Sequence, residues 1–143
     1  MIIFVLMSFL LILTYTDIMD YRIPNVIVFP AIAFGVFATG QILEAMTAFI
    51  FMALICRSDK KPKYLPRGFI SFCEGDIKLF TMIASFIGWM FLPALLTTIL
   101  SVKFYRFLFN HRLGLPIAPF ACVSTIFLIT AAAIFHNVCR MVA

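Results

Sequence analysis

Ser71-Phe-Cys-Glu-Gly-Asp-Ile-Lys-Leu79 is the stretch where a basic loop gives way to an apolar run, and it sets Asp76 directly after Gly75 at the mouth of that run. One other acidic stretch stands in the same relation to an apolar segment. Thr16–Asn25 places Asp17 and Asp20 just after the first such run. A carboxyl at the boundary of a membrane span is costly to keep, so one that is kept reads as functional by default.

The boundary in question is a lipid one. Of the 143 residues, 64% are hydrophobic and 12% charged, with a mean hydropathy of +1.13. A water-soluble chain of that composition would expose far too much apolar surface. The reading is an all-α integral membrane protein with a single domain over residues 1–143. The net charge of +5 does not point to nucleic acid. Its basic residues lie between apolar runs, and no nucleic-acid motif accompanies them. Cys56, Cys73, Cys122 and Cys139 form no Cys-x-x-Cys pair, hence neither a metal-ligand spacing nor a disulfide framework. His111 and His136 are isolated and read as structural. Met1–Tyr15 lacks a basic n-region and a small-residue cleavage site, so it reads as a retained first span.

With a span needing about 20 apolar residues, the chain divides into about six segments, forming a polytopic bundle. They are Ile2–Met19, Asn25–Thr39, Ile42–Arg57, Ile77–Met90, Phe91–Phe107 and Ile117–Val138. Apolar character on nearly all sides, without period-two alternation, predicts helices rather than strands. The boundary between the fourth and fifth segments is marked only by Gly88, Trp89 and Pro93. Starting the N-terminus outside puts ten of the eleven Lys and Arg on the cytoplasmic side and leaves only Arg140 outside. Asp17, Asp20, Glu74 and Asp76 then share that side. The Lys-rich half of the Ser58–Cys73 connection suits anionic headgroups. Its apolar half, Gly68–Cys73, is expected to dip into the interface.

Attack of water on a peptide carbonyl needs one group to take a proton and another to supply one. Two carboxyls that share a proton satisfy both needs. Asp76 opens a helix and Asp17 closes one, so the helix dipoles alone assign the anion to Asp76 and the proton to Asp17. The competing explanation makes Asp76 an N-cap and Asp17 a span terminator. Asp20, three residues from Asp17, is expected on the same helix face, either to meet a basic substrate or to pair with Arg22. Glu74 is a second candidate for a basic substrate. Lys78 either offsets negative charge near the aspartates or snorkels to headgroups. Gly75 and Pro24 are structural at the site. Ile23-Pro24 forces an extended turn that fixes where the first span ends. Pro116 and Pro119 belong to the opening turn of the last span, where missing N–H groups cost little. Pro116 is also a candidate for leaving a carbonyl free to hold an extended substrate.

The run Asp17-Ile-Met-Asp-Tyr-Arg-Ile-Pro-Asn25 resembles the first motif of the type IV prepilin peptidases. Glu74-Gly75-Asp76-Ile77-Lys78-Leu79 resembles their second, Gly-x-Gly-Asp-x-Lys-Leu. Leu115-Pro-Ile-Ala-Pro-Phe120 resembles the proline-containing entry to their last helix. The resemblance implies an inner-membrane aspartyl endopeptidase that cleaves the leader of pilin-like precursors at the cytoplasmic face. Its catalytic aspartates fall on Asp17 and Asp76. In size, and in carrying no cysteine-bearing N-terminal extension, the chain is most similar to the short Flp/Tad-type enzymes. The implied partners are a prepilin-like precursor and the lipid bilayer. The chemistry requires no metal or nucleotide, and no residue here marks an S-adenosylmethionine site. Cys73 stands where the motif has its first glycine. A positive φ at that position would cost a cysteine roughly 1 kcal/mol or more. Two alternatives stay open: a catalytically inactive membrane subunit of a pilus or secretion assembly, and a small proton-coupled transporter.

Overall fold

The computed structural model describes residues 1–20, 22–59, 74–109 and 116–142. These form α1 (Ile2–Asp20), α2 (Asn25–Thr39), α3 (Ile42–Asp59), α4 (Glu74–Ile87), α5 (Phe91–Phe109) and α6 (Ala118–Val142). A single 3-10 turn, Gly88–Met90, joins α4 to α5. The expected segments coincide with these helices to within a few residues, and α2 matches end for end. The helix α3 runs on to Asp59, so the first two residues of the expected 58–73 connection are helical. The interfacial dip of 68–73, the Cys73 substitution, His111 and Leu115 lie outside the described residues.

Among the described residues, three stretches are long and apolar enough to cross a membrane: Ile2–Asp20, Glu74–Leu108 and Ala118–Asn137. Asn25–Thr39 and Ile42–Cys56 are shorter apolar helices. The 35-residue stretch Glu74–Leu108 is not one rod. Gly88 takes φ +59°, a conformation that a side chain would strain. A Cβ there would also come within 3.0–3.1 Å of the Gln41 amide. The chain breaks at this glycine, passes through the 3-10 turn and restarts as α5. The Tyr105 ring then meets the Phe120 ring edge-on at 5.5 Å, so α5 ends beside the start of α6.

Each outer helix turns one narrow stripe inward. Leu6, Leu10, Leu13 and Asp17 form the buried face of α1, and Val28, Ala31 and Gly35 that of α2. Both sets follow the three-to-four-residue spacing of a helix face. The opposite faces stay exposed, with Phe4, Leu11, Phe29 and Phe37 among their side chains. The helix α4 is different: every residue from Leu79 to Phe86 is buried. Packed by α2 and α3 on its flanks and touched by α1 and α5, it is the axis of the bundle.

Between helices in lipid, apolar burial supplies little drive, and association depends on close packing and interhelical hydrogen bonds. Ala31 and Gly35 of α2, and Ala45 and Ala48 of α3, provide that packing around α4. Near the end of α2, the Thr39 hydroxyl lies 2.7 Å from the Ser85 carbonyl of α4 and 2.8 Å from its own Gly35 carbonyl. Its one proton serves either acceptor. This contact joins the ends of α2 and α4, and a 2.8 Å bond from Lys78 to Asn25 joins their starts, so the two run in the same direction.

Candidate active site

Two cross-helix hydrogen bonds gather the helix ends that carry the acidic motifs. The backbone N–H of Ala118, at the start of α6, donates to Asp17 Oδ2 at 2.9 Å across 101 residues of sequence. The Lys78 ammonium, in the first turns of α4, donates to Asn25 Oδ1 at 2.8 Å, at the start of α2. The end of α1 and the starts of α2, α4 and α6 are therefore neighbours at one end of the bundle. The same contacts bring together the three sequence motifs, 17–25, 74–79 and 116–120.

Asp17 is 7% exposed and Asp76 is 5% exposed, whereas most acids of a membrane protein reach water or headgroups. The burial of Asp17 follows from its place one turn beyond Leu13, on the inward face of α1. Asp76 sits in the first turn of α4 and leads directly into the buried run of that helix. It is the third residue of α4 and not its cap, so the N-cap explanation does not describe it. Asp17 in turn is more than a span terminator, because the opening of a second helix is bonded to its carboxyl. Asp76 lies in the first turn of α4, and Asp17, in the last turn of α1, also meets the opening of α6, so two helix ends of opposite sign act on the Asp17 carboxyl.

The neighbouring residues separate into exposed and structural groups. α1 persists to Asp20, as the same-face reading requires, yet Asp20 is exposed while Asp17 is buried. The two differ by about 60° around the helix axis. Among the described residues Asp20 has no ion pair with Arg22. Glu74 is 85% exposed on its side chain and stands 3.6 Å from Lys78, one turn away on α4. The Lys78 side chain is only 18% exposed. Its ammonium turns to Asn25 and not out to headgroups, because its position on α4 faces the start of α2. Pro24 is extended (φ −72°, ψ 126°), and its carbonyl accepts the N–H groups of Ile27 and Val28, opening α2 as the Ile-Pro pair predicts. Gly75 is helical without positive φ, and a Cβ there would touch the Ile23 side chain at 3.4 Å. Pro116 precedes α6, Ile117 receives the Ala121 N–H at its carbonyl, and Pro119 lies within the first turn.

The residues that sequence reasoning passed over are Asn25 and Ala118. Asn25 stood inside the quoted first motif without a role, although a polar residue at a helix start invites a search for its partner. The Ala118 N–H carries no sequence signal beyond the proline-flanked helix opening that leaves it unpaired within α6.

Residues 4–135 match the type IV leader peptidase family. No curated protein and no solved structure matches the chain. The matched span contains all three motifs and every helix end that meets at the aspartates, and the apolar helices make the chain a membrane protein. The chain belongs to the type IV leader peptidase family.

Proposed function

We propose that this protein is an aspartic endopeptidase that removes the leader of type IV prepilin-like precursors. The observation that carries the reading is the pair of buried carboxyls, Asp17 and Asp76, at one end of a helical bundle in a leader peptidase family. Asp17 and Asp76 are the catalytic pair. One carboxylate takes a proton from water as the water oxygen bonds to the scissile carbonyl carbon. The other, protonated, carboxyl supplies its proton to the carbonyl oxygen. Collapse of the tetrahedral species breaks the C–N bond, and the departing nitrogen takes up a proton. The Ala118 N–H holds one oxygen of Asp17, fixing the rotation of that carboxyl, and no metal or nucleotide is needed.

Six spans are the topology that this reading adopts. The reversal at Gly88 divides Glu74–Leu108 into two helices, and α2 and α3 cross with some local thinning of the bilayer. The bias of Lys and Arg supports a topology with the aspartates at the cytoplasmic face and the N-terminus opposite, in the periplasm of a bacterial inner membrane on this reading. The substrate presents an extended leader there, with its apolar helix lying in the bilayer beside the enzyme. The whole domain, residues 1–143, serves this one reaction.

The test is incubation of the purified protein, in detergent or bilayer discs, with a prepilin-like precursor. The expected result is release of the leader at one peptide bond. A folded preparation that leaves several such precursors intact would overturn the peptidase reading in favour of a non-enzymatic assembly subunit. Asp20 and Glu74, both exposed at this end, are proposed to attract a basic leader, and Pro116 to help hold it extended. Charge reversal with Asp20→Lys plus Glu74→Lys removes up to roughly 1 kcal/mol per exposed pair. The expected outcome in initial-rate kinetics is a KM raised about fivefold or more with kcat little changed, an effect that shrinks as salt is added.

A further inference from the structure

The geometry points to Lys78 and Asn25 as a positioning clasp that sets the distance and angle between the two aspartate-bearing helices. This inference rests on the peptidase reading above and names residues that act through others, touching neither substrate nor the reacting atoms.

The segment Ile23-Pro24-Asn25 is the covalent continuation of α1, only a few residues beyond Asp17. It grips α4 at two points. Ile23 packs where a Gly75 Cβ would lie at 3.4 Å, and Asn25 Oδ1 takes the Lys78 ammonium at 2.8 Å. Gly75 and Lys78 are three residues apart and so share one face of α4, and they bracket Asp76 in sequence. Asp76 projects about 100° from Gly75 and about 160° from Lys78 around the same helix. The link from α1 therefore holds one side of the first turns of α4 while Asp76 leaves from another. Pro24 removes the softest torsion of that link by fixing φ near −72°.

Within the clasp the two acceptors of Lys78 are unequal. Glu74 is 85% exposed, and its 3.6 Å contact is the kind of solvated pair that contributes little. Asn25 is exposed as well, but its bond is shorter, and it joins two helices where the Glu74 contact stays within one. It is also a charged donor on a neutral acceptor, unlike the ion pair with Glu74. A carboxylate at position 25 would add a further negative charge at the end of the bundle that already holds Asp17, Asp20, Glu74 and Asp76. An amide supplies the acceptor without that charge.

The experiment measures cleavage kinetics and amide hydrogen exchange on the full-length protein for wild type, Lys78→Met, Asn25→Ala, the double variant, and the exchanged pair Asn25→Lys with Lys78→Asn. Each single variant is expected to lower kcat about tenfold to a hundredfold, the scale of a small misplacement of catalytic groups. KM should stay within about threefold, because no substrate contact is lost. The double variant should be no worse than either single one, since both remove the same bond. The exchanged pair, which rebuilds the bond with donor and acceptor reversed, should recover much of the lost kcat. Amides of residues 78–80 and 27–29, the first with helical acceptors in α4 and α2, should exchange faster in the single variants than in wild type. Unchanged exchange in these segments overturns the clasp whatever the activity. So does a wild-type kcat in Lys78→Met, or a folded exchanged pair as slow as the single variants. Failure of the wild-type protein to cleave refutes the peptidase reading instead, and the exchange data still decide the clasp.

Discussion

Asp17→Asn and Asp76→Asn are each expected to abolish leader cleavage while leaving the protein folded. Both substitutions are nearly isosteric, and an amide oxygen at position 17 still accepts the Ala118 N–H that Asp17 Oδ2 accepts now. Packing along Leu6, Leu10 and Leu13, and along the buried run of α4, is untouched. What is lost is the ability to take or give a proton, worth about 10²–10⁴ in rate for a single general acid or base. Because the two carboxyls work as one unit, the double variant should be no slower than either single one. Thermal stability should hold or rise, since taking an ionisable carboxyl out of water is a cost that a neutral asparagine lowers. The wild-type profile should be bell-shaped in pH. Activity is lost on the acid side as both carboxyls become protonated, and on the alkaline side as neither keeps a proton. The two limbs belong to the pair and not to either residue. Gel-resolved cleavage and thermal melting of the three variants check this. Processing by either single variant at more than about a tenth of the wild-type rate contradicts the assignment.

Much of this site was legible because the sequence signals are local. The ends of α2 are written in Pro24, which cannot continue a helix behind it, and in the polar break after Thr39. The carboxyls stood out because so few charges occur in so apolar a chain. The division between α4 and α5 was readable as a weak mark at Gly88, and the positive φ there supplies its cause. Contacts between distant segments were not legible. Nothing near Asp17 in sequence announces that the opening of α6, 101 residues later, is its hydrogen-bond partner. A dipole argument drawn from sequence therefore weighed only the end of α1 on Asp17, without the opening of α6 that also meets it. Lys78 illustrates the same limit from the other side. The sequence offered it the aspartates or the headgroups, and only the packing of α2 on α4 shows that Asn25 is its partner.

Gly35→Leu is expected to prevent assembly of the bundle, with Gly35→Ala intermediate. A Cβ at position 35 would lie 2.9 Å from two ring carbons of Phe86 and still closer to the Ser85 hydroxyl. Neither neighbour can yield easily. Ser85 is fully buried and its hydroxyl already donates to the Met82 carbonyl at 2.7 Å, while Phe86 is buried and stacked obliquely on Phe34. Overpacking of this kind costs about 1–3 kcal/mol for a small added group and more for a branched one. Alanine recovers up to about 1 kcal/mol through its better helix propensity, so its net effect is a modest loss. Leucine gains no more from propensity and must drive α2 off α4. That separation also pulls the Thr39 hydroxyl away from Ser85, an interhelical bond worth about 0.6 kcal/mol on average in membrane proteins. The consequence for function follows from the direction of the helices. Since α2 and α4 run in parallel, a wedge at Gly35 levers apart their starts, where Asn25 meets Lys78 and Asp76 enters the bundle. Gly35→Ala should therefore lose more activity than its melting temperature alone would explain, with kcat falling before KM rises. Ala33→Val, on the exposed side of the same helix, should change neither. Equal stability and activity of Gly35→Leu and wild type would show that α2 does not need this close approach to α4.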